Sequence, residues 1–289
     1  MTWTLSTSLV DFRAAAGDFL AADPVRNTVP LTVVDRLTKA GPYSFGAGRP
    51  RFGWWREESR GPVSGVFVQT PPLGVVLGVM GAEAAGRLAE ALAEAGDVAV
   101  PSVHGNKQLV TVFARSWERA TGGRSRLLRH ERLYHLGTLA RPQPAPNGSP
   151  RLAVAADHAL LVGWYAAFAA ESGTASAGAD FDAVVGQRTA EGLLHVWEDG
   201  GRPVALAAVS PVIAGMSRIG PVYTPSELRR RGYAGGVVAA GSAHALGQGA
   251  TEVLLYTDLE NPTSNSIYQR LGYVRVEDAL VLDLEPAVG

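Results

Sequence analysis

The sequence predicts an α+β fold built twice in tandem, on three observations. Apolar residues recur at helical spacing in some stretches and in short β-type runs in others. Both halves present them in one order: two helices, three strands, a helix, a strand, a helix, and a final strand or strand pair. Between the halves, Arg141-Pro142-Gln143-Pro144-Ala145-Pro146-Asn147-Gly148-Ser149-Pro150 can hold neither a helix nor an inner strand. We therefore expect domains at 1–145 and 146–289 of the 289 residues, joined by an extended, semi-rigid spacer. Each half is long enough to bury its own core.

In the first half, Leu9, Phe12, Ala16, Phe19 and Leu20 mark a helix over 8–22 that Asp23-Pro24 ends, and a second helix covers 29–39 before Gly41-Pro42. Three short β-type runs follow at 52–56, 63–68 and 73–80, split by Gly- and Pro-bearing turns, as in an antiparallel meander. Leu88, Ala91, Leu92 and Ala95 share one face of a helix at 82–95. A strand at 98–103, a helix at 106–121 stacking Leu109, Phe113 and Trp117, and a strand or strand pair at 126–139 complete the half. Trp54 and Trp55 read as core aromatics, with a cleft wall as the alternative.

The second half opens with a strand at 151–155 and a helix capped by Asp157, with Leu161, Trp164 and Phe168 turned inward. A helix at 181–190 follows a Gly/Ala/Ser loop, then a hairpin of 193–197 and 204–209 around Glu198-Asp199-Gly200-Gly201, whose acids read as solvated turn residues. Met216 to Tyr223 is the next strand, followed by a helix to about 247, a strand at 252–257 and a helix from about 263.

Composition narrows the function. Apolar residues make up 46%, charged residues 18%, and the net charge is −1, which suits a soluble globular protein and no nucleic-acid partner. With no cysteine, disulfides, thiolate metal sites and a cysteine nucleophile are excluded, so any thioester belongs to a cofactor. No apolar run approaches the ~20 residues of a membrane span and residues 1–12 lack a signal-peptide pattern, so we expect a cytoplasmic protein. The six histidines show no metal-site spacing, and no metal is expected.

The most informative stretch is Val222-Tyr223-Thr224-Pro225-Ser226-Glu227-Leu228-Arg229-Arg230-Arg231-Gly232-Tyr233-Ala234-Gly235. An apolar strand enters a polar turn crowded with arginines, then a step of small residues at a helix start. Gly232, Ala234 and Gly235 let the backbone approach a ligand, so successive N–H groups of 232–235 can face phosphate oxygens, while Arg229, Arg230 and Arg231 add positive charge. A structural alternative stays open, because Thr224-Pro225-Ser226-Glu227 imitates a capping box with proline at the first helical position.

This turn resembles the pyrophosphate-binding motif of the GNAT superfamily of acyl-CoA-dependent N-acyltransferases, Gln/Arg-x-x-Gly-x-Gly/Ala, here Arg229-x-x-Gly232-x-Ala234. At the family's distances follow Asn261-x-x-Ser264-x-x-x-Tyr268 and Leu271-Gly272-Tyr273. The resemblance, specific over about 193–284 and one of element order elsewhere, implies two GNAT-like domains, each a mixed, mostly antiparallel twisted sheet flanked by helices. It implies acetyl-CoA as acyl donor and a primary amine as acceptor. It also implies a strand at Met216 to Tyr223 that splays from its neighbour, with Val222, Tyr223 and Thr224 along the acyl arm and Asn261 and Ser264 beside the cofactor.

Tyr268 is the candidate general acid for the departing thiolate, with a packed core tyrosine as the alternative. Asn261 reads equally as a helix cap. No carboxylate stands on the Met216 to Tyr223 strand, so Asp258 and Glu260 are the nearest candidate bases, with capping as their plainer role and solvent as the other proton acceptor. In the first half the corresponding turn, Val79 to Gly86, has no basic residue and carries Glu83, and Phe113 stands where the second half has Tyr268, so that half reads as a degenerate copy. A non-catalytic acyl-CoA-binding or regulatory protein, and a tandem acyltransferase acting on a small-thiol precursor, remain the alternative functions.

Overall fold

The computed structural model describes residues 2–174, 179–285 and Ala287. In chain order the elements are β1 (Thr2–Ser6), α1 (Leu9–Ala22), α2 (Thr28–Ala40), β2 (Arg51–Arg56), β3 (Val63–Gln69), β4 (Val75–Leu77), α3 (Ala82–Ala95), β5 (Ser102–Asn106), α4 (Lys107–Thr121) and β6 (Arg124–Leu136). They continue with β7 (Ser149–Leu152), α5 (His158–Glu171), α6 (Phe181–Ala190), β8 (Leu194–Asp199), β9 (Arg202–Val209), β10 (Met216–Tyr223), α7 (Tyr233–Gly247), β11 (Glu252–Asp258), α8 (Pro262–Arg270) and β12 (Tyr273–Glu285).

Two compact units result. The first takes Met1–Leu133, Asp258–Glu260 and Val276–Gly289, and the second Tyr134–Thr257 and Asn261–Arg275. These are spatial groupings; a linear domain division at residue 145 stays a proposal.

In the first unit β2, β3 and β4 form the expected antiparallel meander, and β4 then pairs in parallel with β5 through Val75↔Val103 and Val76↔His104. The last strand of the chain completes this sheet, with Ala279–Asp283 antiparallel to Asn106–Ser102 of β5. Phe67, Leu88, Leu92, Val103, Phe113 and Leu282 are buried together under α3 and α4. Trp55 joins this core, whereas Trp54, one residue before it, turns toward Phe12. Pattern reading missed β1, whose only strand signal is Trp3 and Leu5 and which is held by pairing with β2 from Thr2↔Arg56 to Ser6↔Phe52. The strand expected at 98–103 lies instead at Ser102–Asn106, because pairing with β12 recruits Gly105 and Asn106, residues that read locally as a turn.

In the second unit β7, β8 and β9 are antiparallel neighbours, β9 pairs antiparallel with β10, and β10 pairs in parallel with β11. Alternation along these strands separates two cores. Leu194, Val196, Leu206 and Ala208 face α5 and α6 with Leu161, Trp164, Tyr165 and Val185. Trp197, Ala205, Ala207 and Val209 face α7 and α8 with Val237, Val238, Tyr268 and Leu271. Phe168 is only half-buried, and Tyr165 fills the inward position instead. Asp157 does not cap α5 with its side chain; it accepts from Arg151 at 2.7 and 3.0 Å and from the Val154 N–H at 2.9 Å.

Helix α7 needs its glycines because it lies close to the sheet. A Cβ on Gly236 would stand 2.9 Å from the Trp197 ring, and one on Gly241 3.1 Å from Val209. The linker contributes to the same packing rather than acting as a free spacer. Ala140 N–H donates to Leu271 O at 3.0 Å, Trp197 Nε1 donates to Asn147 O at 2.7 Å, and Pro146 lies 3.0 Å from the position of a Cβ on Gly236.

Candidate functional site

The sequence places strand β10 ahead of an arginine turn, and the structure shows β10 leaving β11. Parallel pairing runs only through Met216↔Glu252, Ser217↔Val253 and Arg218↔Leu254. Beyond it Ile219, Val222 and Tyr223 pair with β9, with a register shift between Ile219 and Val222. Pro221 lies in that shift, and a residue without an N–H interrupts a ladder where it stands. The result is an opening in the sheet flanked by Val222 and Tyr223.

The chain next makes a 3-10 turn over Ser226–Leu228, without the reciprocal bonds of a capping box. Arg229, Arg230 and Arg231 are exposed, and Arg230 and Gly232 take left-handed backbone at φ 65° and 84°. Gly232 is the N-cap of α7 and no side chain caps this 15-residue helix, so the first-turn N–H groups of Tyr233, Ala234 and Gly235 have no side-chain acceptor. Thr224 Oγ1 is buried beside this turn with no hydrogen-bond partner. An uncapped helix start, an orphaned buried hydroxyl and three cations fit an anionic group such as a pyrophosphate.

Not every arginine is free to serve it. Arg229 donates to Glu171 Oε2 at 2.6 Å and to Thr224 O at 2.9 Å, with its guanidinium carbon 5.9 Å from the Tyr223 ring centroid. Tyr223 Oη donates to the other oxygen of Glu171 at 3.3 Å. Desolvation first, then the Glu171 carboxylate, raises the Tyr223 phenol above its ordinary value. Tyr233 donates to Asp199 Oδ2 at 2.5 Å, and Glu198 accepts from Arg151 at 2.6 Å. Both hairpin acids are therefore tied down, not simply solvated as expected.

On α8, Asn261 accepts from the Ser264 N–H at 3.0 Å, which commits its Oδ1 to capping. Tyr268 is 8% exposed in the α7–α8 core, edge-on to Tyr273 at 6.1 Å. Burial pushes its phenol up to about 12, against the opposing hydrogen bond with Ser264. Asp258 Oδ1 accepts from the Glu260 N–H at 2.8 Å, a bond within the turn after β11 and not a helix cap, since Asn261 caps α8.

In the first unit the corresponding helix α3 starts at Gly81 with no side-chain cap but with Glu83 in its first turn. Asn106 there caps α4 through the Gln108 N–H at 2.9 Å, and Phe113 is fully buried.

Pattern reading missed three groups. Glu171 ends α5 and reaches Arg229 across 58 residues of sequence. Tyr134, fully buried, donates to Asn265 Oδ1 at 3.0 Å and accepts from Gln269 at 3.2 Å. Arg188 on α6 donates to Tyr165 Oη at 3.2 Å and lies 3.5 Å from Gly220 O. None carries a local motif, and no sequence signal marked them.

Among the described residues no group of three or more His, Asp or Glu is placed to hold a metal ion, and no helix is long and apolar enough to cross a membrane.

Residues 160–273 match the family model of the acetyltransferase (GNAT) family. No curated protein matches the chain. Among solved structures it is similar to a GNAT-family acetyltransferase from Colwellia psychrerythraea, at 13% identity and TM-score 0.60 over 99% of this chain and 100% of that one. It is also similar to a GCN5-related N-acetyltransferase from Sphaerobacter thermophilus, at 16% identity and TM-score 0.64 over 99% and 97%. These likenesses are of fold, and they extend over both units. The match to the acetyltransferase (GNAT) family thus covers residues 160–273, and acetyl transfer is the general activity of that family.

Proposed function

We propose that the second unit moves an acetyl group from acetyl-CoA directly to a primary amine. The observation that carries this is the uncapped start of α7 at left-handed Gly232, standing immediately after a strand that has parted from its neighbour. The N–H groups of Tyr233, Ala234 and Gly235 would receive the pyrophosphate, with Arg230 and Arg231 as exposed countercharge. Thr224 would give its unpaired hydroxyl to the same ligand. The backbone at Val222 and Tyr223 would hold the acyl arm, and Asn261 and Ser264 would border it at the start of α8.

Acyl transfer to an amine needs a neutral nucleophile, a polarised carbonyl and a proton for the leaving thiolate. Tyr268 is the proposed proton donor. A phenol held near 12 keeps its proton at neutral pH and gives it up only to a thiolate made more basic by the same dry surroundings. Glu198, Asp199 and Asp258 each have other partners, and Asp258 and Glu260 group with the first unit, so proton loss from the amine is assigned to solvent. The first unit, with Glu83 in place of basic residues, would hold no CoA. The cytoplasm is the proposed location.

The test is release of free thiol from acetyl-CoA across a panel of amines, with acetyl-CoA alone as control, alongside calorimetry for CoA stoichiometry. Amine-dependent release with one CoA per chain is expected. CoA binding without release for any amine would leave an acyl-CoA-binding protein instead.

A further inference from the structure

The opening beside β10 joins two faces of the second unit's sheet, one carrying α7 and α8 and the other α5 and α6. The proposed cofactor turn feeds the α7 face, so an acceptor would arrive from the α5–α6 face. On that face stands one guanidinium whose charge the described residues leave uncompensated.

Arg188 is half-buried near the end of α6. One of its nitrogens, Nη1, is shared between two neutral acceptors, Tyr165 Oη at 3.2 Å and Gly220 O at 3.5 Å. Gly220 lies just past the last parallel pair of β10, in the register shift where that strand opens. No described carboxylate is within ion-pair distance of Arg188, and the nearby acids have other partners. Glu171 holds Arg229 at 2.6 Å, Asp182 holds His158 at 2.8 Å, Glu191 accepts from Gln187 at 2.9 Å, and Asp180 caps α6 at the Ala183 N–H at 2.9 Å. Residues 175–178 are Ala, Ser, Ala and Gly and carry no acid. A partly desolvated cation without an anion is costly to maintain, and a guanidinium recognises a planar carboxylate through paired N–H donors.

We propose that Arg188 is a specificity residue for the acceptor, and that the acceptor is an amine bearing a carboxylate, which Arg188 holds on the α5–α6 face while the amine enters the opening beside β10. This rests on the acetyl-transfer reading above. Tyr165 orients the guanidinium, and the Gly220 carbonyl ties it to the opening, so the anion site and the reacting position are fixed by one strand.

The experiment compares amino acids with their carboxamides, glycine with glycinamide and phenylalanine with phenylalaninamide, as acceptors in thiol release by the full chain. Carboxylates should be preferred, and Arg188→Gln should reduce the carboxylate-to-carboxamide preference about 10- to 100-fold. Arg188→Lys, which keeps the charge, should retain part of it. A preference ratio is unaffected by partial loss of folded protein, so a merely structural Arg188 would not mimic the result. If CoA binds but none of these amines turns over, calorimetry with the N-acetylated amino acids and their amides in the presence of CoA reads the same preference. Carboxamides used or bound as well as carboxylates, or an unchanged ratio in Arg188→Gln, would overturn the assignment and leave acetyl transfer standing. Absence of CoA binding would overturn both.

Discussion

Arg229 and Glu171 form a 2.6 Å ion pair that fastens the end of α5 to the turn before α7. The motif arginine is thus already engaged by a carboxylate, with side chains 44% and 50% exposed. Exposed pairs of this kind contribute about 0–1 kcal/mol to stability, so the consequence to look for is in binding. Glu171→Gln should leave the fold intact and strengthen CoA binding by about 2- to 5-fold, because the guanidinium charge is then available to the phosphates. Arg229→Ala should weaken it, and the salt dependence of CoA binding should become shallower. Calorimetry at two ionic strengths measures both; weaker binding in Glu171→Gln would show that the pair positions the turn instead.

Gly232→Asp places a carboxylate at a helix start that has none, beside N–H groups that lack acceptors, at a φ of 84° and with Pro146 3.4 Å from the new Cβ. Its own charge would repel the pyrophosphate. We expect CoA affinity to fall at least about 100-fold in a folded protein, the scale of losing several charge-assisted hydrogen bonds. Unchanged affinity would remove the α7 start from the site.

Tyr268→Phe keeps the ring and its contacts with Tyr273 and removes only the hydroxyl. CoA binding should stay within about 2-fold while single-turnover acetyl transfer falls about 10- to 10⁴-fold. A tyrosine that only packs would instead lose about 1 kcal/mol of stability with turnover preserved. The rate must be read at saturating acetyl-CoA with chemistry limiting, since slow product release hides a chemical defect.

His195 gives a pH prediction. It is 5% exposed on β8, its ring edge-on to His244 of α7 at 4.7 Å, and its Nε2 has no partner. Burial, then the neighbouring His244, lowers it from the ordinary 6.5 to about 4. The unfolded chain therefore takes up this proton near pH 6.5 while the folded one resists until about 4. Stability contributed by the neutral ring is present above pH 6.5 and is lost as pH falls through that window, by on the order of 3 kcal/mol at the acid end. Urea unfolding of wild type against His195→Leu from pH 7.5 to 4.5 isolates this share from that of the carboxylates; the variant should show the shallower decline.

Local chemistry made part of this molecule readable. Met216–Tyr223 and the helix from Tyr233 were legible because an apolar strand, a polar turn and a run of small residues succeed each other with sharp changes of composition, and Gly232 stood out as a small residue that lets the backbone approach a ligand. The spacing from Asn261 to Tyr268 likewise marked α8. What stayed hidden depends on partners far along the chain. Glu171 and Arg188 sit on unremarkable helix positions and matter only because α5 and α6 end against β10 and its turn. Prolines at 142, 144 and 146 announce an extended path but not the surface it lies on, so the contacts of Pro146 with Gly232 and Gly236 were unreadable. β1 was missed for the same reason, being a strand by virtue of β2.

The last strand of the chain also has a consequence for how the protein is made. Residues 279–283 of β12 supply the antiparallel neighbour of β5, which otherwise offers a bare edge on that side. On a ribosome, β5 emerges long before that neighbour is synthesised, so the first unit must wait, with one sheet edge open, while the whole of the second unit is translated. An open edge of this kind invites pairing with other nascent chains. A premature stop before β12 would therefore injure the unit at the beginning of the chain.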